Sequence, residues 1–198
     1  MVTVSVCKYC RREGEKLFLK GEKCISPRCP FVRRSYGPGQ HGQVPRKTSD
    51  FAKQLREKQK AKRIYGVAET QFKNYFKKAR TAATDTEEYF HQLLERRFDN
   101  VIYRLGFAPS RRSASQLISH GFFTINKKKL DTSSYLVKKG DKILPGKKIK
   151  IISSKKEGLP NWLKLDKAKT VAEVLRIPKK DEMEESINLT QIIEFYSK

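Results

Sequence analysis

Three absences narrow the class of this 198-residue chain. It has no apolar run approaching the roughly 18 residues that a membrane-spanning helix needs, so no such helix is predicted. The segment from Met1 to Val6 lacks the charged and apolar parts of a signal peptide. No lipidation motif and no amphipathic basic helix with tryptophan anchors is found, so no membrane partner is expected. We therefore expect a protein of the reducing cytoplasm.

Catalytic motifs are also lacking. The sequence has no phosphate-binding P-loop, no dinucleotide fingerprint and no Cys–His or Ser–His–Asp arrangement. His41 has no serine or carboxylate placed beside it to form a triad, so we interpret it as a contact or loop-packing residue. An enzyme is not predicted. A DNA-binding factor is not favoured either, because neither a helix–turn–helix nor a finger with a groove-reading helix is found.

Acidic residues are scarce relative to basic ones. The chain has 44 Lys and Arg against 21 Asp and Glu, a net charge of +23. The excess lies in residues 1–63 and 121–180, each with 17 basic and 5 acidic residues, whereas residues 181–198 are acidic. Such a charge points to a polyanionic partner, and for a soluble protein the commonest is nucleic acid.

No cysteine occurs after residue 29, and the four that precede it follow the spacing Cys7-x2-Cys10-x13-Cys24-x4-Cys29. Two close pairs joined by a short loop are typical of a tetrahedral thiolate site. Zinc is the favoured ion, although an iron–sulfur cluster uses the same ligands. Four unrelated thiols or two disulfides are the alternatives, and disulfides fit poorly with a cytoplasmic chain. Four thiolates fill every tetrahedral position, so the metal would be structural.

Residues 93–144 form the central unit of the chain. Apolar residues from Phe90 to Leu105 recur at three- and four-residue steps, which predicts one helix ended by Gly106. Ser110 is the N-cap of a second helix, which Gly121 closes. That helix buries Ala114, Leu117 and Ile118, and the opposite face is predicted to carry Arg111, Arg112, Ser115, Gln116 and Ser119. A phosphate backbone suits such a face.

Short strands follow this helix. Residues 122–126 are predicted to form a strand, 127–129 a basic turn, and 135–137, 142–144 and 147–152 further strands. Trp162 is interpreted as a packing anchor. The predicted fold class is α+β, with an N-terminal metal knuckle, a mainly helical domain, and an inserted RNA-binding module of two helices plus a small curled sheet. The predicted domains are residues 1–48, residues 49–92 completed by 177–198, and the module at 93–176.

The region before this module adds two basic elements. Residues 33–42 are an irregular loop rich in glycine, and residues 49–63 are predicted to be a helix capped by Ser49. In the eleven residues from Lys53 to Arg63, six cations stand against Glu57 alone, which favours a face against RNA. A further helix from Glu69 has an aromatic core face, and the apolar C-terminal tail is expected to pack back on the N-terminal helical part.

These residues resemble the bacterial small-subunit ribosomal protein four family in its zinc-binding four-cysteine form. The matching segments are the cysteine spacing, Arg33–Arg34, Pro38–Gly42, Leu55–Lys60, Arg63–Gly66, Asp99–Phe107, Ser110–Arg112, Gln116–Leu117, His120–Gly121, Trp162–Leu163 and Ile193–Ser197. The resemblance implies direct binding to a junction in the 5′ domain of small-subunit ribosomal RNA. It also implies nucleation of subunit assembly, an effect on translational accuracy, and a place beside ribosomal proteins three and five at the channel through which mRNA enters. The segment between Leu144 and Trp162 is shorter than the family pattern.

The mechanism predicted is electrostatic clamping of folded RNA, with affinity that falls as salt rises. Charge reversal at Arg111 and Arg112 together is expected to abolish specific binding and leave the fold intact. A free RNA-binding regulator or chaperone built on the same module is the alternative function. The predicted RNA contacts are Arg33, Arg34, Gln40, His41, Arg46, Lys47, Lys53, Arg56, Lys58, Lys60, Lys62, Arg63, Arg104, Ser110, Arg111, Arg112, Ser115, Gln116, His120, Lys127, Lys128 and Lys129.

Overall fold

A computed structural model describes residues 5–44, 47–146, 149, 159–166, 170–179, 182 and 187–197. The chain divides into two compact units, one of residues 1–69 with 184–198 and one of residues 70–183. The sequence instead predicted boundaries after residues 48, 92 and 176. No helix in the described ranges is long and apolar enough to cross a membrane.

The first unit is helical. Helices α1 (Cys7–Glu13), α2 (Glu22–Ile25) and α3 (Pro30–Arg33) are short, and α4 (Asp50–Tyr65) is the long element. Three cysteines lie in α1 and α2, and Cys29 is the N-cap of α3. Ser49 caps α4 as predicted, because its hydroxyl accepts a hydrogen bond from the Ala52 amide at 3.3 Å. The C-terminal helix α9 (Leu189–Ser197) packs on α4, with the Phe51 and Phe195 rings 5.4 Å apart. The expected return of the C-terminal tail is therefore confirmed.

The second unit begins with helices that bury aromatic rings. They are α5 (Glu69–Arg80, assigned to this unit from Thr70), α6 (Thr86–Glu95), α7 (Phe98–Arg104) and α8 (Arg111–Ser119). Phe72 of α5 meets Phe90 of α6 edge to face at 5.1 Å, and Phe76 meets the same ring at 6.0 Å. This confirms that the aromatic residues of α5 form a core face.

One predicted helix is two helices in the structure. The apolar stripe from Phe90 to Leu105 breaks at Arg96 and Arg97, where Arg97 has extended backbone and forms a β-bridge with Leu136. The Phe98 amide donates to the Tyr135 carbonyl at 2.8 Å. The prediction of one helix was wrong because a segment forty residues later supplies these hydrogen bonds. Residues 135–137 were predicted to form a strand, and in the structure they form a single bridge, the one between Leu136 and Arg97.

A small antiparallel sheet covers α7 and α8. Its strands are β1 (Phe123–Ile125), β2 (Lys128–Lys129), β3 (Lys142–Pro145), β4 (Leu163–Asp166) and β5 (Val171–Val174), in the order β2-β1-β3-β5-β4. Trp162 is fully buried in the core of this unit, which confirms it as a packing anchor. Apart from Ile149, the strand predicted at residues 147–152 lies outside the described residues. Helices and one small sheet make the fold α+β, as predicted.

Candidate RNA-binding surface and cysteine cluster

Helix α8 presents a short polar face. The Ser110 hydroxyl accepts a hydrogen bond from the Ser113 amide at 3.2 Å, and Gly121 follows the helix with a left-handed φ of 71°. Both predicted ends are confirmed. Arg112, Gln116 and His120 are exposed on the helix and at its C-terminal end. Ser115 is half-buried.

Arg111 does not belong to this face, so the predicted placement was wrong. It is only 8% exposed, its Nε donates to Asn100 Oδ1 at 2.8 Å, and its guanidinium lies 4.6 Å from the centre of the Tyr103 ring. The reason is helical geometry, since position 111 precedes the buried Ala114 and Ile118 by three and seven residues. Reversing its charge would therefore damage the fold, contrary to expectation.

Arg111 is part of a buried polar network beside α7. Arg104, predicted as an RNA contact, pairs with Glu95 at 3.0 Å, and Asn100 donates to the same carboxylate at 2.8 Å. Although burial works in the opposite direction, Arg104 and Arg111 lower the pKa of Glu95 to about 2. Nearby, Arg97 pairs with Asp99 at 2.5 Å. Such a network fixes the junction of α7 and α8, and its cations are engaged within the protein.

The lysines after α8 are exposed and held in place by a tight turn. Asn126 and Lys127 both have left-handed backbone, so they form the turn, while Lys128 and Lys129 already belong to β2. The predicted turn at 127–129 is thus shifted by one residue. Asn126 suits this position because asparagine tolerates such backbone, and its side chain donates to Asp141 at 2.8 Å.

Lys129 has a second constraint. A β-carbon placed on Gly121 would lie 2.1 Å from Lys129 Cε, so the lysine side chain passes directly over the glycine. Because Gly121 has no side chain, the exposed Lys129 can lie next to the C-terminal end of α8. Together, Arg112, Gln116, His120 and the three lysines form what we call the α8 surface.

The six cations of α4 were predicted to face RNA, which stays a prediction, and the structure shows that they have partners within the protein. Each of them pairs with an acid of its own unit. Lys58 and Lys60 are buried, although the sequence predicted them to be displayed. The pairs are Lys53–Asp50 at 2.9 Å, Arg56–Glu13 at 3.5 Å, Lys58–Glu69 at 2.7 Å, Lys60–Glu15 at 2.6 Å, Lys62–Glu69 at 2.7 Å, and Arg63–Glu13.

Glu69 shows how strongly these cations are held. Burial alone would raise its pKa, but hydrogen bonds from Lys58 and Lys62 lower the pKa of Glu69 to about 2. Lys58 also lies 4.8 Å from the centre of the Phe195 ring, so it joins α4 to α9. This part of α4 therefore has a structural role in the first unit.

The loop after α3 is built around a close backbone approach. A β-carbon on Gly42 would lie 1.9 Å from the Gly37 carbonyl oxygen, so only glycine fits there. Arg11 of α1 donates to the Tyr36 carbonyl at 3.0 Å and lies over the Tyr36 ring. Sequence reasoning missed this anchor, because arginine and loop are 25 residues apart. The predicted contacts Arg33, Arg34, Gln40, His41 and Lys47 are exposed in and around this loop, and Arg46 lies outside the described residues.

The four cysteines are free thiols. Cys10, Cys24 and Cys29 are buried, and Cys7 is half-buried. Burial raises the pKa of Cys10 and Cys24, and the neighbouring cysteines raise both further. The Lys20 amide donates to Cys24 Sγ at 3.3 Å, a bond that helps a thiolate persist. Within the described ranges, no three Cys, His, Asp or Glu side chains are gathered as a bound metal would gather them.

Two known protein families match successive parts of the chain. Residues 2–95 match the family described as the ribosomal protein S4/S9 N-terminal domain, and residues 96–143 match the S4 domain. The second match covers α7, α8 and β1 to the start of β3, which includes the α8 surface.

Full-length relatives are similar along the whole chain. The small ribosomal subunit protein uS4 of Thermodesulfovibrio yellowstonii is 50% identical, covering 99% of this chain and 98% of that protein. The protein uS4A of Alkaliphilus oremlandii and uS4 of Pelotomaculum thermopropionicum are each 47% identical over the same shares. The chain belongs to the bacterial ribosomal protein uS4 family.

Proposed function

We propose that this protein is a structural constituent of the small ribosomal subunit that binds ribosomal RNA directly. The observation that carries the proposal is the α8 surface, within the segment that matches the S4 domain. Its exposed cations Arg112 and Lys127 to Lys129 have no acidic partner among the residues that the structure describes. A surface of free cations beside hydrogen-bonding side chains suits an RNA backbone.

The binding mechanism is electrostatic and depends on shape. Lysine and arginine side chains on rigid elements neutralise phosphates and release counterions, so affinity falls steeply with salt. Gln116 and His120 add hydrogen bonds at fixed positions on the same helix. The exposed side chains of the loop after α3 provide a second set of contacts in the other unit.

The finer assignment rests on the family resemblance. We propose that the RNA target is a helical junction in the 5′ domain of small-subunit ribosomal RNA, and that binding nucleates subunit assembly in the cytoplasm. Proteins three and five of the subunit are the proposed neighbours, beside the channel through which mRNA enters. This position would give the protein its influence on translational accuracy.

The cysteine cluster is proposed to hold a structural Zn²⁺ through Cys7, Cys10, Cys24 and Cys29. The donor set supports this assignment, since four free thiols are grouped in a segment with few large apolar residues. A bound ion would join α1, α2 and α3, and the amide that donates to Cys24 would help hold its thiolate. An iron–sulfur cluster would use the same ligands.

A filter-binding titration tests the RNA assignment. The protein is titrated against 5′-domain ribosomal RNA and an unrelated RNA of equal length, at several salt concentrations. Preferential binding that persists at moderate salt is expected. Equal affinities that collapse together would contradict the proposal, and failure to co-sediment with small subunits would favour a free RNA-binding regulator or chaperone.

The metal assignment is tested separately on purified full-length protein. Metal analysis should find one zinc per chain, and replacement with Co²⁺ should give the absorption of a tetrahedral thiolate site. Substituting Cys24→Ser should remove both signals. A chain that carries no metal and keeps its melting temperature under chelation would overturn the assignment.

A further inference from the structure

Helix α5 presents a second group of free cations that the sequence had suggested only as part of a core helix. Lys73, Lys77, Lys78 and Arg80 are exposed. In the described part of the chain none of them has an acidic partner. The single acid of the helix, Glu69, is already bound by Lys58 and Lys62.

These cations share one side of the helix. Positions 73, 77 and 80 follow a line at steps of four and three residues, with about 10 Å between the first and last Cα atoms. Asn74 and Lys78 lie beside this line and are also exposed. We refer to Lys73, Asn74, Lys77, Lys78 and Arg80 as the α5 surface.

The opposite side of α5 is fixed in the core. Phe72, Tyr75, Phe76 and Ala79 are all buried, and the Tyr75 hydroxyl accepts a hydrogen bond from Arg97 at 3.2 Å. The α5 surface therefore stands on a rigid support, and its side chains point away from the protein. A rigid row of cations binds a polyanion at a lower entropic cost than a row on a mobile loop.

Two ordinary explanations account for only part of this pattern. Cations in the last turn complement the helix dipole, which suits Lys77, Lys78 and Arg80 but not Lys73, which lies one turn earlier. A surface that serves solubility usually mixes both signs of charge. The α5 surface has one sign only, whereas α4 has its cations paired with acids.

We propose that the α5 surface binds the phosphate backbone of the ribosomal RNA, as a contact separate from the α8 surface. This proposal rests on the function proposed above. RNA is the proposed partner because charge complementarity is the property that the surface offers, and none of its members is an aromatic or aliphatic residue that a protein partner would bury. The contact should be insensitive to base sequence.

The first test compares charge removal at two places. One variant is Lys73→Gln with Lys77→Gln and Arg80→Gln, and the matched control is Lys138→Gln with Lys139→Gln and Lys179→Gln, all exposed positions of the same unit. Glutamine has a helix propensity close to that of lysine, so α5 should keep its stability, as circular dichroism and urea unfolding would verify. Affinity for 5′-domain RNA is then measured against salt.

We expect the α5 variant to bind at least tenfold more weakly and to reduce the slope of log affinity against log salt by about 2, since each phosphate contact contributes about 0.7 to 0.9. The control should change affinity by less than threefold. The wild-type protein must first show a preference for 5′-domain RNA. If the α5 variant then binds this RNA with the wild-type affinity and salt slope, the inference is overturned. A wild type without that preference would instead overturn the proposed function, and the slope would still decide whether α5 binds RNA.

A second test needs no substitution. Acetylation of the wild-type protein, free and bound to RNA, is quantified by mass spectrometry. Lys73, Lys77 and Lys78 should be protected in the complex, while Lys164, exposed on β4, should react equally in both states. Equal modification of all four lysines would contradict the inference even if the variants bind weakly.

Discussion

Helices α4 and α5 are neighbours in the chain and both are rich in lysine, but they use their cations in opposite ways. The six cations of α4 predicted to bind RNA all pair with acids of the same unit, and two of them are buried. Those of α5 are exposed and have no acidic partner in the described structure. The density of cations along a helix therefore does not measure the charge that it offers to RNA.

The same distinction separates two adjacent arginines. Arg111 binds Asn100 inside the second unit, whereas Arg112 is exposed. One is needed for the fold and the other is available to a partner. The variants below test whether paired and free cations are distinct classes.

The largest effect is expected for Arg111→Gln. Removing the guanidinium takes the Arg111 hydrogen bond from the buried Asn100 side-chain oxygen and a positive charge from beside Glu95, so the free energy of unfolding should fall by about 3 kcal/mol. Urea denaturation at neutral pH measures this. Arg112→Gln is the matched control and should change stability by less than about 0.5 kcal/mol. Equal stability losses in the two variants would show that the buried Arg111 contributes no more to the fold than the exposed Arg112.

The next largest effect is expected for Glu69→Gln. It leaves the buried Lys58 without a carboxylate, which should cost about 1 to 2 kcal/mol because Glu69 itself is partly exposed. The pKa of Glu69 is lowered to about 2, so its contribution is complete above about pH 4.5 and is lost as the pH falls towards 2. The difference in unfolding free energy between wild type and variant should therefore narrow between pH 7 and pH 3. A difference that stays constant with pH would show that the charge of Glu69 does not contribute to the free energy of unfolding.

Local patterns predicted local features well. The caps at Ser49 and Ser110, the glycine after α8 and the aromatic face of α5 depend on a few adjacent residues, and all are confirmed. The return of the C-terminal helix to α4 could also be inferred, because its apolar residues need a partner.

Features that depend on distant residues could not be predicted in this way. The helix break at Arg97 needs Leu136, and the pairing of Arg63 needs Glu13, fifty residues earlier. Residues 53–63 of α4 contain one acid, Glu57, so the cations of this helix were expected to lack acidic partners. Arg111 is different, because its spacing from Ala114 and Ile118 already indicated burial, and its charge was given more weight than its position.

A third prediction concerns RNA affinity. Lys128→Gln with Lys129→Gln removes two free cations from the α8 surface and should weaken binding to 5′-domain RNA about tenfold, or about 1.4 kcal/mol. The slope of log affinity against log salt should fall by about 1 to 2. Lys53→Gln with Lys62→Gln removes the same charge from paired positions of α4 and should change affinity less than twofold. Equal losses in both variants would show that pairing with acids does not withdraw a cation from RNA.

The smallest effect is expected at His91, a titratable residue that is neither paired nor exposed. It is fully buried, and neither ring nitrogen has a hydrogen-bond partner in the described part of the chain. Burial lowers the pKa of His91, with Arg104 acting in the same direction and Glu95 and Glu182 opposing it.

The folded protein therefore resists protonation of His91 while the unfolded chain accepts it. Stability should fall as the pH drops below about 6.5, by up to about 1.4 kcal/mol per pH unit. His91→Leu should remove this dependence, so that its stability relative to wild type rises by about 1 kcal/mol between pH 7 and pH 5.5 in urea denaturation. Parallel losses in wild type and variant would mean that His91 is protonated inside the fold, with Glu95 and Glu182 outweighing the effect of burial.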